Sequence, residues 1–154
     1  MKLEDFIYDP STVLYLPLYK LDGASFMSRD AYGHLCTAYG ALWTPRGRSF
    51  DGIDDYINCG DKAQFQFAGD FTAWAWVSIP NLPAAGKFPR IFCKQDAASP
   101  YEGWFLRLQA TSGYWEFSLR DSGGDEMGTS YDVTPTLNTS YFVAGVRSGT
   151  TVNI

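Results

Sequence analysis

The segment 50–59 of this chain, FDGIDDYINC, places three carboxylates, those of Asp51, Asp54 and Asp55, within five positions. Carboxylates so close together can bind a cation, share a proton, or accept hydrogen bonds from the amides of a tight turn. The dipeptide Asp51-Gly52 favours the turn, because aspartate side chains bond to nearby backbone amides. The spacing is not that of an EF-hand, whose loop is longer and ends in glutamate.

A cation site is the second interpretation of these carboxylates. Calcium takes several oxygen ligands at about 2.3–2.6 Å, and clustered aspartates on one loop can supply two of them. Backbone carbonyls and another loop would complete the set, and Asp30 in RDAYGHL is the candidate from that other loop. We therefore predict Asp51, Asp54, Asp55 and Asp30 as metal ligands, and the turn remains the alternative.

Acid–base catalysis is the third interpretation, and the sequence argues against it. Glycoside hydrolysis needs two carboxyl groups that face each other across a substrate. Glu102, Glu116 and Glu126 are isolated along the chain, and Glu116 is explained as an outward-facing strand residue. The single histidine, His34, offers no pair of zinc ligands, and no G-x-S-x-G nucleophile motif occurs. We predict no catalytic residues and no enzyme, with His34 as a loop packing residue.

Aromatic side chains are the other candidates for ligand binding, because exposed tryptophan and tyrosine rings can stack on the apolar faces of sugars. Two tyrosines lie in segments with loop composition, Tyr101 in SPYEGW and Tyr131 in TSYDV, and we predict these as ligand-binding residues. Four tryptophans lie inside predicted strands, and we expect them to pack in the core: Trp74, Trp76, Trp104 and Trp115.

Charge and composition limit the classes of partner. The chain has 154 residues and a formal net charge of -5, which argues against nucleic acid and against anionic membrane surfaces. No apolar segment approaches the length of a membrane span, and the N-terminal sequence does not resemble a signal peptide. Three cysteines, Cys36, Cys59 and Cys93, form no C-x-x-C motif. We expect buried thiols, with one disulfide as the alternative.

The elements that must position these residues are β-strands. In 71–79, FTAWAWVSI, residues alternate between Phe71, Ala73, Ala75, Val77 and Ile79 on one face and the two tryptophans with Thr72 and Ser78 on the other. This period of two predicts a strand that is buried on both faces, or that has one face in a core and one in a groove. Its length and alternation make it the clearest strand prediction in the chain.

Further short strands are predicted along the chain, separated by segments rich in glycine, proline, aspartate and serine. The predicted ranges are 13–18, 36–39, 41–43, 48–50, 55–59, 90–94, 104–109, 114–120, 141–147 and 151–154, and Ser148-Gly149 predicts a tight hairpin between the last two. Many short strands at even spacing predict an all-β fold, a two-sheet antiparallel β-sandwich or jelly roll formed by a single domain over 1–154.

The order of motifs resembles the laminin-G-like jelly roll of the concanavalin A-like lectin/glucanase superfamily. The segments that carry the resemblance are LYLPLYKLDGASFMSRDAYGHL, RSFDGIDDYINCG, FTAWAWVSIP, RIFCKQ, GWFLRLQ and SYFVAGVRSGTTVNI. Glucanases of this superfamily carry a Glu-x-Asp-x-x-Glu pattern on one strand, and that pattern does not occur here. The resemblance also implies calcium near the loops, which adds to the cation interpretation of the aspartates.

The resemblance implies a non-catalytic recognition module that binds carbohydrate or a protein surface through loops at one end of the sandwich, with calcium as a cofactor. The alternative is a structural or assembly domain of a virion, tail or surface protein, and a glycoside hydrolase or lyase comes third. We expect an extracellular or virion-surface location. The family pattern usually continues beyond the strand at 151–154, so we expect a sandwich without its last strands and self-association through an incomplete sheet edge.

Overall fold

A computed structural model describes residues 9–110 and 112–154. Within these ranges the chain forms β-strands and one short 3-10 turn, Ala63–Phe65. The described part of the chain contains no helix with the length and apolar character needed to cross a bilayer. The strands are distributed over two compact units, one up to Phe65 and one from Gln66 onward.

The first unit contains five short strands. β1 (Ser25–Met27), β2 (Leu35–Tyr39) and β5 (Tyr56–Asn58) form an antiparallel sheet in the order β1-β2-β5. β3 (Leu42–Thr44) and β4 (Gly47–Ser49) form a separate hairpin. β1 was not expected, because Ser25–Met27 lies in a segment with the composition of a loop. Its pairing with β2 supplies the backbone hydrogen bonds that make it a strand.

The strand predicted over 13–18 is wrong. This segment joins no ladder, and Pro17 lacks the amide hydrogen that a ladder needs. The backbone of Tyr15 is held instead by the loop at 29–30, because its amide donates to Asp30 Oδ2 at 3.0 Å and its carbonyl accepts from the amide of Arg29 at 2.9 Å. Three alternate side chains still cover the buried residues of this unit: Leu14, Leu16 and Leu18.

The second unit contains two antiparallel sheets. β7 (Arg90–Gln95), β8 (Gly103–Leu108), β9 (Trp115–Arg120) and β10 (Glu126–Tyr131) form the four-stranded sheet, in the order β10-β9-β8-β7. β6 (Phe71–Ser78), β11 (Ser140–Ser148) and β12 (Thr151–Asn153) form the three-stranded sheet, in the order β12-β11-β6. The two-sheet antiparallel sandwich predicted from the sequence is therefore present here.

The core of the second unit lies between these two sheets. The four-stranded sheet contributes Leu106, Leu108, Trp115 and Phe117, and the other side contributes Ile79 and Val143. Leu106 and Phe117 are fully buried. The contact is closest at Gly145 of β11, where an added Cβ would overlap the ring of Phe117. Glycine at this position allows the two sheets to approach each other.

Most predicted strands in this unit are confirmed within one residue at each end, and the hairpin at Ser148-Gly149 is confirmed. β10 was not expected, because its first residues belong to the loop-like segment DSGGDEMG. Pairing with β9 from Glu126 opposite Arg120 to Tyr131 opposite Trp115 forms this strand. Tyr131 is accordingly the last residue of a strand and not a loop residue.

Candidate functional site

The three clustered aspartates form one turn. Asp51 Oδ1 accepts hydrogen bonds from the amides of Ile53 at 2.8 Å and Asp54 at 3.3 Å, and Asp55 Oδ2 accepts from the amide of Asp51 at 2.8 Å. The hydrogen bond from Ile53 is the main cause that lowers the pKa of Asp51. The turn interpretation is therefore confirmed, because the carboxylates satisfy the backbone donors of the turn.

The same turn retains the geometry of a cation site. One carboxylate oxygen from each of Asp51, Asp54 and Asp55 lies within 4.8 Å of the others. Two oxygens bound to one calcium ion at about 2.3–2.6 Å can lie at most about 5 Å apart, so these donors fit that ion. The donors are hard, anionic oxygens on an exposed turn, where water can complete the coordination.

Asp30 does not belong to this group. Its Oδ1 accepts from the amides of Tyr32 at 2.9 Å and Gly33 at 3.1 Å, and its Oδ2 accepts from Tyr15. Burial would raise the pKa of Asp30, but the hydrogen bonds from Ser28 and these amides together lower it. Asp30 therefore organises the loop before β2, and the structure does not bring it to the other three aspartates.

The two predicted ligand tyrosines are both exposed, but they do not converge. Tyr101 lies in the β7–β8 connection. This connection is next to the β9–β10 turn, since a Cβ added at Gly124 would lie 3.5 Å from Pro100. Tyr131 lies opposite Trp115 at the other end of the same sheet. Five residues of strand separate these ends, or about 17 Å, so the tyrosines do not form one site.

Exposed tryptophans on β6 form the largest departure from the sequence prediction. The core placement predicted for Trp74 and Trp76 is wrong, since their side chains are 43% and 70% exposed. The core placement of Trp104 and Trp115 is confirmed. The alternation itself is confirmed, because the opposite face of β6 packs in the sandwich. The presence of Thr72 and Ser78 beside the two tryptophans was the sequence signal for a solvent-facing side.

A third ring extends this surface. Phe142 of β11 lies directly opposite Trp76 and is 54% exposed. Its ring centroid is 5.5 Å from that of Trp76, in an edge contact, and 5.6 Å from that of Trp74. We call Trp74, Trp76 and Phe142 the aromatic face. The cross-strand contacts hold its rings in fixed relative positions.

The aromatic face has an uncharged border. Residues that share its side of β6, β11 and β12 follow from the register: Thr72, Ser78, Ser140, Ala144, Val146, Ser148, Thr151 and Asn153. On the outward side of these three strands, all of them described, the side chains are aromatic, aliphatic, hydroxyl or amide and none is charged. A ligand on this surface would therefore meet stacking surfaces and neutral hydrogen-bonding groups.

A groove of about 230 Å³ lies beside Phe142. Its wall combines aromatic rings and aliphatic side chains from β9, β10, the segment after β10, β11 and Ile154: Trp115, Tyr131, Val133, Pro135, Tyr141, Phe142, Val143, Ala144 and Ile154. Tyr131, one of the two predicted ligand residues, is thus linked to the aromatic face through the shared residue Phe142.

The four-stranded sheet carries a polar groove on its outer side, and this groove contains both Glu116 and Glu126. Arg107 holds Glu116 through two hydrogen bonds, Nε to Oε2 at 2.7 Å and a second guanidinium nitrogen to Oε1 at 3.1 Å. Glu116 faces outward as predicted, but this pairing leaves it buried. Ser118 Oγ donates to Glu126 at 2.6 Å, and Arg120 pairs with the same carboxylate.

The partners of Glu126 decide its protonation. The hydrogen bond from Ser118 and then the pairing with Arg120 lower the pKa of Glu126. A general acid in glycoside hydrolysis needs a carboxyl group with a raised pKa. Glu126 is therefore unsuited to that role at neutral pH.

His34 is confirmed as a packing residue. Its ring lies between Tyr32, stacked at 5.6 Å, and Phe65, in an edge contact at 4.9 Å. Nε2 lies 3.0 Å from the carbonyl oxygen of Val13. These contacts anchor the segment before β1.

A family model of the laminin G type, described as the concanavalin A-like lectin/glucanases superfamily, matches residues 51–154. The match covers well over half of the chain and includes the acidic turn and the whole aromatic face. The chain matches no curated protein and no solved structure. The match agrees with the resemblance drawn from the sequence motifs.

Proposed function

This chain belongs to the concanavalin A-like lectin/glucanase superfamily, and from that premise we propose that it is a non-catalytic recognition module that binds uncharged carbohydrate on its aromatic face. Domains of the family are commonly binding modules. The observation that carries the proposal is the exposure of Trp74, Trp76 and Phe142 on one side of a sheet whose other side packs in a core.

The chemistry of the aromatic face supports a sugar as the ligand. The C–H groups on one face of a pyranose ring are apolar and stack on aromatic rings, while the hydroxyls around its edge need hydrogen-bonding partners. Trp74 and Trp76 begin about 7 Å apart along β6, which makes a platform longer than one sugar ring. Ser78 and Ser140 lie opposite each other beside Trp76 and offer hydroxyl groups at the border.

The energetic cost of exposing apolar side chains to water also supports a binding function for the aromatic face. Exposed apolar patches on soluble domains commonly mark binding sites, because leaving them in water is unfavourable. The absence of charge on the described outward side of these strands argues for a neutral ligand over an anionic one. We accordingly place the carbohydrate on the sheet and not on the loops around Tyr101.

The lack of catalysis is part of the same proposal. In the polar groove Glu116 and Glu126 are each paired with an arginine, and the pKa of Glu126 is lowered by its partners Ser118 and Arg120. A hydrolase needs one carboxyl group that holds a proton and faces a second across the substrate. A recognition role also agrees with an extracellular or virion-surface location, which we retain as part of the proposal.

The test is affinity for neutral oligosaccharides. We expect an array of neutral glycans to identify a ligand, and Trp76→Ala to weaken its binding by about tenfold, since an aromatic contact contributes about 0.5–1.5 kcal/mol beyond burial. Trp76→Phe should retain part of the affinity. Leu42→Ala, which changes an exposed apolar side chain in the other unit, serves as the control and should bind normally.

Three outcomes would overturn the proposal. Absence of any neutral glycan signal, together with saturable binding of a protein partner that Trp76→Ala removes, would identify a protein interface. Loss of glycan binding in Tyr101→Ala but not in Trp76→Ala would move the site to the loops. Release of shortened oligosaccharides would show catalysis.

For the acidic turn we propose calcium as the ligand, supported by the 4.8 Å clustering of its three carboxylates. The ion would offset two of the three negative charges and tie the segment before β5. We expect millimolar calcium to raise the melting temperature and EDTA to reverse the rise. Asp54→Asn should abolish the shift while Asp51 and Asp55 keep the turn, and Asp96→Asn is the matched control. No calcium shift in the unmodified chain, or an equal shift in Asp54→Asn, would refute the site.

A further inference from the structure

Two of the three cysteines lie opposite each other on neighbouring strands. β2 and β5 are antiparallel with Thr37 opposite Asn58 and Ala38 opposite Ile57. Continuing this register by one residue places Cys36 opposite Cys59. Opposed residues in antiparallel strands have Cα atoms about 4.5–5.5 Å apart, which lies within the range of about 4.4–6.8 Å that a disulfide requires.

The two thiols also face the same side of the sheet. Cys36 is fully buried in the core of the first unit, and Cys59 packs against the same cluster. The two thiols also perturb each other, since interaction with the Cys59 side chain lowers the pKa of Cys36 and interaction with the Cys36 side chain raises the pKa of Cys59. Cys93 differs on both counts, since it is exposed and lies on β7. All three cysteines are free thiols in this structure.

We propose that Cys36 and Cys59 are a redox-active pair that forms an intrachain disulfide without rearrangement of β2 and β5. With oxidised glutathione as the oxidant, the thiolate of the more accessible Cys59 attacks one glutathione sulfur and releases one reduced glutathione. The Cys36 sulfur then attacks the mixed disulfide at Cys59 and releases the second reduced glutathione. The protein loses two protons and two electrons, and one oxidised glutathione takes them up to become two reduced molecules.

The disulfide would close a loop that contains two features described above. The chain between Cys36 and Cys59 contains the β3–β4 hairpin and the acidic turn at 51–55. A cross-link at its base restricts the unfolded chain more than the folded one, which already holds the two residues together. Oxidation would therefore stabilise the unit that carries the acidic turn, and reduction would loosen it. This device does not depend on the proposed carbohydrate function.

The test measures where oxidation occurs and how strongly folding favours it. The hydrogen bond with Cys36, together with burial, raises the pKa of Cys59, so exchange is slow and the measurement is made at equilibrium. The chain is incubated in glutathione buffers of graded redox ratio, folded or unfolded in urea, and mapped by mass spectrometry after alkylation. We expect a peptide pair linked through Cys36 and Cys59 and an alkylated Cys93.

The expected magnitude follows from linkage. The free energy by which the disulfide stabilises the folded state equals the free energy by which folding favours formation of the disulfide. For a loop of this length, folding should favour the disulfide by on the order of 100-fold over the urea-unfolded chain. Cys93→Ser should leave this ratio unchanged, and Cys59→Ser should remove the linked peptide.

Every other pattern contradicts the proposal. Oxidation confined to Cys93, stable mixed disulfides with glutathione on Cys59, or links between chains would show that the two sulfurs do not reach each other. Equal equilibrium constants in the folded and unfolded chain would show that the fold does not bring the pair together. These results come from the unmodified chain, so they do not depend on whether a variant folds.

Discussion

Gly145 offers a direct test of how the two sheets of the second unit pack. Its φ is not positive, so alanine fits the backbone, and alanine normally strengthens a strand relative to glycine. An added Cβ would lie 2.9 Å from one carbon of the Phe117 ring and nearer still to two others. Normal carbon–carbon contacts are about 3.5–4.0 Å, so Gly145→Ala must displace the ring.

The ring has little room to move. Phe117 is fully buried and meets Phe71 edge-on, with centroids 5.8 Å apart. Overpacking a closed core costs about 1–3 kcal/mol, and the overlap at three ring carbons places Gly145→Ala at the upper end. The gain from replacing a strand glycine is about 0.5–1 kcal/mol. We therefore expect a net loss of about 2 kcal/mol in the free energy of unfolding.

The assay is equilibrium unfolding in urea. With a denaturant slope of about 1–3 kcal/mol/M, the midpoint of Gly145→Ala should fall by roughly 1 M. Gly69→Ala is the matched control in the same unit, because its Cβ would meet nothing within 4 Å and its φ is also not positive. That variant should be neutral or slightly more stable. Phe117→Leu should offset part of the Gly145→Ala loss in a double-mutant cycle.

The sign of the change in the free energy of unfolding shows whether Phe117 packs against β11. If Gly145→Ala were as stable as the unmodified chain, or more stable, the ring of Phe117 would not lie against β11. If the losses from Gly145→Ala and Phe117→Leu were strictly additive, the two positions would not be in contact. Either result would refute the face-to-face packing of the two sheets.

Three further predictions concern charged groups. The pKa of Asp30 is lowered in the folded chain, so its stabilising effect is present above its ordinary pKa and is lost as the pH falls through the acid range below about 4. Urea midpoints at pH 7 and pH 3 should therefore differ less for Asp30→Asn than for the unmodified chain, and an unchanged difference would count against this role. Arg107→Met should lower the free energy of unfolding in urea by about 2 kcal/mol, because it leaves Glu116 buried without its partner. The double variant Arg107→Met with Glu116→Met should recover most of that loss. A double variant as unstable as the single one would show that the unpaired charge is not the cause. Glu126→Gln should leave the affinity for the proposed glycan ligand unchanged, since the polar groove lies on the other sheet, and weaker binding would place part of the site there.

Period-two alternation predicted β6 and most strands of the second unit, because a strand with one side in a core must alternate. The same rule failed for the segment 13–18 and for β10, for opposite reasons. The first has the composition of a strand, but Pro17 and the loop at Asp30 take its backbone out of any ladder. The second contains Gly128 and polar residues, and only its partner β9 makes it extended.

The predictions for the candidate site also succeeded where they depended on local sequence and failed where they depended on distant contacts. Three aspartates within five positions, with the turn dipeptide Asp51-Gly52, predicted one shared turn, so their clustering followed from the local sequence. Asp30 was predicted as a fourth ligand only because its loop carries a carboxylate. That carboxylate accepts hydrogen bonds from three amides instead. The two tyrosines were grouped as loop residues, but the topology places them at opposite ends of one sheet.

The sequence by itself determined the all-β class, the family, the acidic turn and the alternation of β6, because these depend on residue types and on contacts between near neighbours. Only the tertiary structure decided which side of β6 faces water, that Phe142 joins Trp74 and Trp76, and that Cys36 meets Cys59. Alternation divides a strand into two faces but does not say which one another sheet will cover. Packing and register between distant strands make that choice, and they are set by the whole chain.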